Sequence, residues 1–404
     1  VRKDDFFRDA RTDLAGPLEG IRVLEATTSW AGPMAACLLA DYGADVIKIE
    51  HPDGEIARYL QPFVPDSRLS LVNETVNRNK RSLTLDMRSD EGRELFLRLA
   101  SRVDVVVENF KPGTLAEWGL GYPQVRDVKP DIVYVSVSGF GQFGPLHDRP
   151  GYDPMAQAFS GWMSLNGAED GAPTKASTWI GDDLAGIHGA LGALAALRHR
   201  DRTGEGQHVD VALVDALLAH SNTFPSMARL GMPLRRTGNQ FPVIVPFNVY
   251  RCVDSDSYVY IGAALDSHWL KLLRIMDRQD LEDDTRFADL NLRLEHRELV
   301  DQLVAEWCCK QPLHSVLERL AEAGIPVAPI NDYPTATTDP HVQARDMFQD
   351  VELSDGRVVP LLAPTTKFSR TPVRIRSAAP ALGADNEALL RELGERGGGE
   401  GDAE

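Results

Sequence analysis

Ile21-Arg22-Val23-Leu24 is followed by a run at 33–42 with small and apolar residues on one side, and then by Val46-Ile47-Lys48-Ile49. A short apolar strand, a helix and a second apolar strand in that order make a βαβ unit. The pattern returns outward from it. An apolar run at 82–87 precedes a helix opened by Asp90 and carrying Leu95, Leu97 and Leu99, and strands follow at 103–107 and 132–137. Strands alternating with helices predict a mostly parallel sheet covered on both faces, so the fold class is α/β.

The texture then changes. A helix rich in Ala, Gly and Leu is predicted over 183–198, closed by the polar turn Asp201-Arg202-Thr203-Gly204-Glu205-Gly206, and another apolar segment follows at 209–218. Between about 226 and 246 the periodicity fades and Pro and Gly punctuate, as in a linker. Segments 249–251 and 258–262 read as a hairpin across Asp254-Ser255-Asp256, with amphipathic helices after it. Gly324-Ile325-Pro326-Val327-Ala328-Pro329 is too proline-rich for a helix. The resulting division is a large α/β domain at 1–205, a linker at 206–244, a small α+β domain at 245–323 and a second linker at 324–341. Residues 342–393 return to the large domain, and the Gly- and Glu-rich stretch 394–404 is a disordered tail.

Composition removes several function classes. The 404 residues hold 43 Lys plus Arg against 60 Asp plus Glu, a formal net charge of −17, with no dense basic cluster. Such a surface repels phosphate backbones and anionic headgroups, which argues against nucleic-acid and membrane partners. Cys37, Cys252, Cys308 and Cys309 show no CxxC and no zinc-type His spacing, so no metal is expected and a reducing cytoplasm fits best. Residues 1–13 are charged and lack a signal-type apolar core, and no run approaches the roughly 18 apolar residues of a membrane span.

Gly139-Phe140-Gly141-Gln142-Phe143-Gly144 spells GxGxxG after a strand, but Pro145 follows at once where a dinucleotide fingerprint needs helix. An active-site or surface loop is the better reading. GxSxG, GxxxxGK[ST] and HExxH are absent. The informative segment is Trp179-Ile180-Gly181-Asp182-Asp183, which opens a helix marked by Gly186, Gly189 and Gly192. An Asp here serves either as helix cap or as a nucleophile that the helix dipole holds ionised. The three glycines cost roughly 1 kcal/mol each relative to Ala, which suggests that something large passes close to the backbone.

The motifs Leu18-Glu19-Gly20-Ile21-Arg22-Val23-Leu24, Ala31-Gly32-Pro33 and Gly43-Ala44-Asp45-Val46-Ile47-Lys48-Ile49-Glu50 come in the order seen in the family III CoA-transferases, the CaiB/BaiF group. The likeness continues through Asn77-Arg78-Asn79-Lys80-Arg81-Ser82, Val107-Glu108-Asn109-Phe110-Lys111-Pro112-Gly113, Gly151-Tyr152-Asp153, Gly181-Asp182 and Arg202-Thr203-Gly204-Glu205-Gly206-Gln207 to Gly324-Ile325-Pro326. The chain resembles that family over nearly its whole length.

The resemblance implies a large Rossmann-like domain built from both chain ends, a small middle domain and two interlocked chains in a homodimer. It implies an enzyme that holds no permanent cofactor and takes acyl-CoA and a small carboxylic acid as substrates. Asp182 matches the family nucleophile, which passes through a mixed anhydride and an aspartyl-CoA thioester. Asp183 falls where no acid is required and is read as first-turn dipole support. Thr28, Ser29, Trp30, Ala31, Leu85, Arg88, Asn109 and Phe110 match CoA-binding positions. His51, also counted among the CoA-binding positions, and Glu117 stand where formyl-CoA transferases carry Arg, so phosphate contacts are either fewer or supplied by Lys80, Arg81, Lys111 or Arg149, which otherwise read as a solvated basic rim. Tyr152 and Gly181 belong to the substrate pocket. Related racemases place a His at the position of Tyr152, and because a tyrosine is a poor base at neutral pH, racemisation of an α-methylacyl-CoA is the second reading. A non-catalytic acyl-CoA-binding protein is the third. Formyl-CoA transferases also carry a glycine-rich loop before the small-domain hairpin. Thr237-Gly238-Asn239-Gln240-Phe241-Pro242 runs on towards Phe247 without one, which brings the chain nearer to succinyl-CoA-dependent dicarboxylate transferases.

Overall fold

In a computed structural model that describes residues 1–395, the chain divides into two compact units. Val1–Trp162, Lys175–Gly231 and the residues from Gln343 onward make the first, and Met163–Thr174 with Met232–Val342 make the second.

In the first unit, β1 (Arg22–Ala26), β2 (Asp45–Glu50), β3 (Lys80–Thr84), β4 (Val105–Glu108), β5 (Val133–Ser138) and β6 (Gln207–Ala212) form one parallel sheet, ordered β3-β2-β1-β4-β5-β6. Its helices include α1 (Ala31–Asp41), α2 (Asp90–Ala100), α3 (Asp153–Phe159), α4 (Ile180–Thr203) and α5 (Leu213–Ala219). Val23, Val105, Val107, Val133 and Val135 pack on α1 and α4 through Ala35, Leu39, Ala190 and Ala193. Leu24, Ile47, Val106 and Tyr134 pack on the opposite face against Phe96 and Leu99 of α2 and Leu389 and Leu393 of the C-terminal helix Asn386–Glu395. Burial on both faces is why these strands are continuous apolar runs. Strand order reverses between β1 and β4, so the loops leaving their carboxyl ends diverge and open a crevice.

Local chemistry sets the helix ends. Ser89 caps α2 by accepting the Gly92 N–H at 2.9 Å, a bond worth about 1 kcal/mol. The left-handed Gly204, φ +77°, ends α4. A Cβ on Gly186 would lie 2.8 Å from Met34 Cγ and 3.1 Å from the Ala31 carbonyl oxygen; one on Gly189 would lie 3.0 Å from Ala35 Cβ, and one on Gly192 2.7 Å from Val209 Cγ1. The bulk anticipated beside these glycines is therefore the protein's own α1 and β6. Gly186→Val should destabilise the fold by about 3 kcal/mol through overpacking, read as a lower urea midpoint. An unchanged midpoint would contradict this packing.

Three segments differ from the expected division. Residues 207–212, placed in a linker, pair with β5 as the sixth strand, and α5 follows at once. Met163–Thr174, placed in the large domain, belongs to the second unit, where the Arg236 guanidinium donates to the carbonyls of Ser164, Ala168 and Gly171. Within 324–341, placed in a linker, Val327–Pro329 is a strand. It forms an antiparallel sheet with Phe247–Arg251 and Tyr258–Gly262 over a core containing Trp269, Leu272, Val304 and Leu320. The disorder expected at 394–404 lies outside the described residues except at 394 and 395, which are helical. Among the described residues no helix is long and apolar enough to cross a membrane.

Candidate active site

The sheet delivers nearly every expected site residue to one edge. Thr28, Ser29, Trp30 and Ala31 follow β1, His51 follows β2, Leu85 and Arg88 follow β3, and Asn109 and Phe110 follow β4. Tyr152 ends the loop that leaves β5, and Gly181 and Asp182 lie in the first turn of α4. Two hollows open there. One, of about 250 Å3, is lined by Asp182, Tyr152, Trp30, Asn109, Lys111 and Arg149 among others. The second, of about 500 Å3, holds His51, Leu85 and Arg88. Thr28 and Phe110 line both, so the two hollows share a wall. The GxGxxG segment supplies Gly139 to the first hollow, and a Cβ there would lie 2.8 Å from Gly151 Cα, so the loop closes back on itself.

The loop between β1 and α1 is held from three sides. Thr28 N–H donates to Asn109 Oδ1 and Asn109 Nδ2 to Thr28 O, both at 2.8 Å. Ser29 N–H and Thr28 Oγ1 donate to Glu55 Oε2 at 3.0 and 3.1 Å. The indole of Trp30 donates to Asp183 Oδ1 at 2.6 Å. Ser29 has φ +70°, a conformation costing a non-glycine residue roughly 1–3 kcal/mol, and these bonds hold it there. Below the loop, Lys48 Nζ lies 3.5 Å from Glu55 and 3.0 Å from Glu25, both partners being deeply buried. Glu55 and this charged layer were not legible as site elements in the sequence. Asp183, read as dipole support, anchors Trp30 instead.

At the head of α4 the cap is Asp153 of α3. Its Oδ1 accepts the Gly181 N–H at 2.7 Å and its Oδ2 accepts from Gln157 Nε2 at 2.6 Å. The spacing of 28 residues hid that role. Asp182 accepts no hydrogen bond among the described residues, so of the two readings of this carboxylate the cap falls away. Its expected ionisation also needs correction. Burial, joined by the negative charges of Asp153 and Asp183, pushes its carboxyl up to about 7 and outweighs the modest help of the helix dipole. Once ionised, such a carboxylate is more basic than an ordinary one and more reactive towards an electrophilic carbonyl.

The chain matches the model of CoA-transferase family III over residues 18–386. The chain belongs to CoA-transferase family III. It is 37% identical to a succinyl-CoA:mesaconate CoA-transferase of Haloarcula hispanica, over 94% of this chain and 97% of that protein. It is also 37% identical to a succinate–glutarate CoA-transferase of Agrobacterium fabrum, over 93% of this chain and 96% of that protein. A crystal structure of a CaiB/BaiF family protein from Brucella suis superposes with a TM-score of 0.83 at 35% identity, covering 94% of this chain and 100% of that one.

In this family III CoA-transferase the basic residues considered for the CoA phosphates separate. Lys80 is buried, 2.7 Å from Glu25 Oε2, and donates to Pro33 O and Asn77 Oδ1, so it is out of reach of any phosphate. Arg81 pairs with Asp45 and Glu392 at the start of the strands, on the edge opposite the hollows. Arg88 lies in the second hollow, its guanidinium shared between Asp86 Oδ1 and His51 Nε2 at 2.9 Å each. Glu117 is exposed at the end of a short helix and lines neither hollow. Lys111 and Arg149 line the hollow of Asp182.

Proposed function

We propose that this CoA-transferase moves CoA from succinyl-CoA to a small, chiefly dicarboxylic, acid through covalent intermediates on Asp182. The observation that carries the reading is an Asp182 carboxylate free of structural bonds in a hollow whose wall is shared with a groove suited to the rest of CoA. The named activities of the Haloarcula and Agrobacterium relatives support the choice of acids.

Asp182 attacks the thioester carbonyl, the C–S bond breaks, and CoA thiolate leaves a mixed anhydride. The thiolate then attacks the aspartyl carbonyl, expelling the donor carboxylate and leaving an aspartyl-CoA thioester. The acceptor carboxylate attacks that thioester, releasing thiolate and forming a second anhydride. Thiolate attack on the acceptor carbonyl frees acyl-CoA and restores Asp182. Each step exchanges one activated carboxyl for another, so no bond energy is lost to water. The residues matching CoA-binding positions divide accordingly, with His51, Leu85 and Arg88 towards the nucleotide and Thr28, Ser29, Trp30, Ala31, Asn109 and Phe110 towards the thiol end. Among the described residues no histidine lines the hollow of Asp182, which disfavours the two-base racemase reading.

Incubation with succinyl-CoA and a panel of carboxylic acids, with new thioesters read by mass spectrometry, tests the reading. Proton exchange at the α-carbon of a branched acyl-CoA without transfer to any acid would overturn it. Because Asp182 must be ionised to attack, kcat/KM for the donor should rise with pH and level off above about 7. A flat profile from pH 5.5 to 8.5 would contradict that. We also infer a homodimer, supported by the exposure of Ile187 and Leu191 on α4 beside an apolar hollow of about 570 Å3. Sedimentation should show no active monomer on dilution.

A further inference from the structure

Three side chains hold the loop between β1 and α1, and each acts on a different residue of it. Asn109 brackets Thr28, Asp183 anchors Trp30, and Glu55 takes the N–H of Ser29. Of the three loop residues Ser29 alone has a positive φ, +70°, which a serine rarely adopts unaided. The strained residue is therefore the one that Glu55 grips. Thr28, Ser29, Trp30 and Ala31 all line the hollow of Asp182, so the conformation of Ser29 shapes that hollow.

Glu55 has no capacity left for a ligand. Its Oε2 accepts from Ser29 N–H at 3.0 Å, Thr28 Oγ1 at 3.1 Å and Ala57 N–H at 2.9 Å, while its Oε1 faces Asn77 Nδ2 at 3.3 Å and Lys48 Nζ at 3.5 Å. A carboxylate offers about four lone-pair directions, and these donors fill them. Although Glu55 borders the second hollow, it is buried, and its charge would repel a CoA phosphate. Burial works to raise its carboxyl, yet Lys48 and the N–H groups of Ala57 and Ser29 hold it below the usual range, so it stays ionised. The Ala57 bond caps the short turn Ile56–Tyr59 and explains one of the contacts. Neutralising Lys48 explains another, but that ammonium is the most distant of the partners. The side chain is placed for the loop first.

Resting on the function proposed above, we propose that Glu55 is a positioning residue for CoA transfer, which holds Ser29 left-handed so that Trp30 and Ala31 take their places in the wall of the hollow of Asp182. Without that grip Ser29 relaxes to an ordinary negative φ, the peptide after it turns, and the wall is complete in only a fraction of the molecules. Turnover falls by that fraction. Glu55 touches no reacting atom in this account, and acts only through Ser29.

The test measures kcat/KM for transfer from succinyl-CoA to glutarate in Glu55→Asp and Glu55→Gln, each made in the wild-type and in the Ser29→Gly background. Urea midpoints are recorded for all, and rates are taken where every variant is folded. Glu55→Asp keeps the charge beside Lys48 and withdraws the oxygens from Ser29 by one methylene. It should lower kcat/KM about tenfold with little change in midpoint. Glu55→Gln keeps the reach and drops the charge, so it should lower the midpoint more and kcat/KM less. Glycine adopts positive φ about as readily as negative, so in the Ser29→Gly background, whatever that change does by itself, Glu55→Asp should cost less than about twofold. The smaller loss in Glu55→Gln should vanish there too, which keeps the comparison decisive if Glu55→Asp does not fold. No loss in Glu55→Asp, an equal loss in both backgrounds, or losses that follow the urea midpoints would reduce Glu55 to a fold-stabilising charge and overturn the proposal. Wild-type enzyme that moves CoA to no acid would overturn the function proposed above, whereas the comparison of backgrounds bears on Glu55 alone.

Discussion

Asp182→Asn should lower kcat by on the order of 10^4-fold or more while leaving the fold and CoA affinity intact. An amide cannot form the anhydride, yet it matches the carboxylate in shape. The head of α4 does not depend on Asp182, because Asp153 takes the Gly181 N–H. Stability should even increase at alkaline pH. The buried Asp182 carboxyl titrates at about 7 against an ordinary 3.8, so the unfolded chain ionises first and the native state loses stability as pH rises between those values. That deficit persists above pH 7 and is absent from the Asn variant. Asp182→Asn should therefore melt higher than wild type at pH 8, with the difference closing near pH 4. An inactive variant less stable than wild type at pH 8 would indicate a structural carboxylate.

The largest effect on stability is expected at Lys80. Its ammonium sits within 3.0 Å of Glu25, Asn77 and the Pro33 carbonyl, with no solvent-accessible side-chain surface. Lys80→Met leaves Glu25 with one of its two cationic partners, and breaking such a buried pair costs about 3–5 kcal/mol. Adding Glu25→Gln should recover part of the loss, because the surplus buried charge goes with it. Urea denaturation of the single and double variants measures both effects. Were Lys80 a phosphate ligand, Lys80→Met would keep its midpoint and lose CoA affinity instead.

Lys80 also shows where sequence reading runs out. A lysine in Asn79-Lys80-Arg81 reads as a basic rim, and nothing local reveals that Glu25, from another strand, meets it inside. The central strands were legible because burial on both faces makes them unbroken apolar runs. β6 was legible only as the start of an apolar segment at Val209, since Gln207-His208 and Asp210 at the sheet edge are polar and read as part of a connection. The three-residue strand Val327–Pro329 ends in proline, which local pattern assigns to a linker and which a sheet accepts only at an edge. The candidate site residues were chosen through motif order. The sheet explains why they gather, because residues 28–31, His51, Leu85 with Arg88, Asn109 with Phe110, and Tyr152 stand on the segments that leave the carboxyl ends of successive strands. Asp153 and Glu55 escaped because their partners are distant in the chain. The raised carboxyl of Asp182 escaped because ionisation depends on burial and neighbouring charge, which position in a helix does not reveal.

The most direct test is a covalent trap. Incubated with succinyl-CoA alone, the enzyme should accumulate an activated Asp182, and hydroxylamine should convert it to a hydroxamate and abolish activity. Without donor, hydroxylamine should do nothing, because a free carboxylate is not electrophilic. Cleavage after Lys175 and Arg198 isolates a peptide whose only acidic residues are Asp182 and Asp183, and fragmentation separates the two. The hydroxamate should lie on Asp182. A hydroxamate on any other residue, or inactivation that needs no donor, would contradict the covalent route.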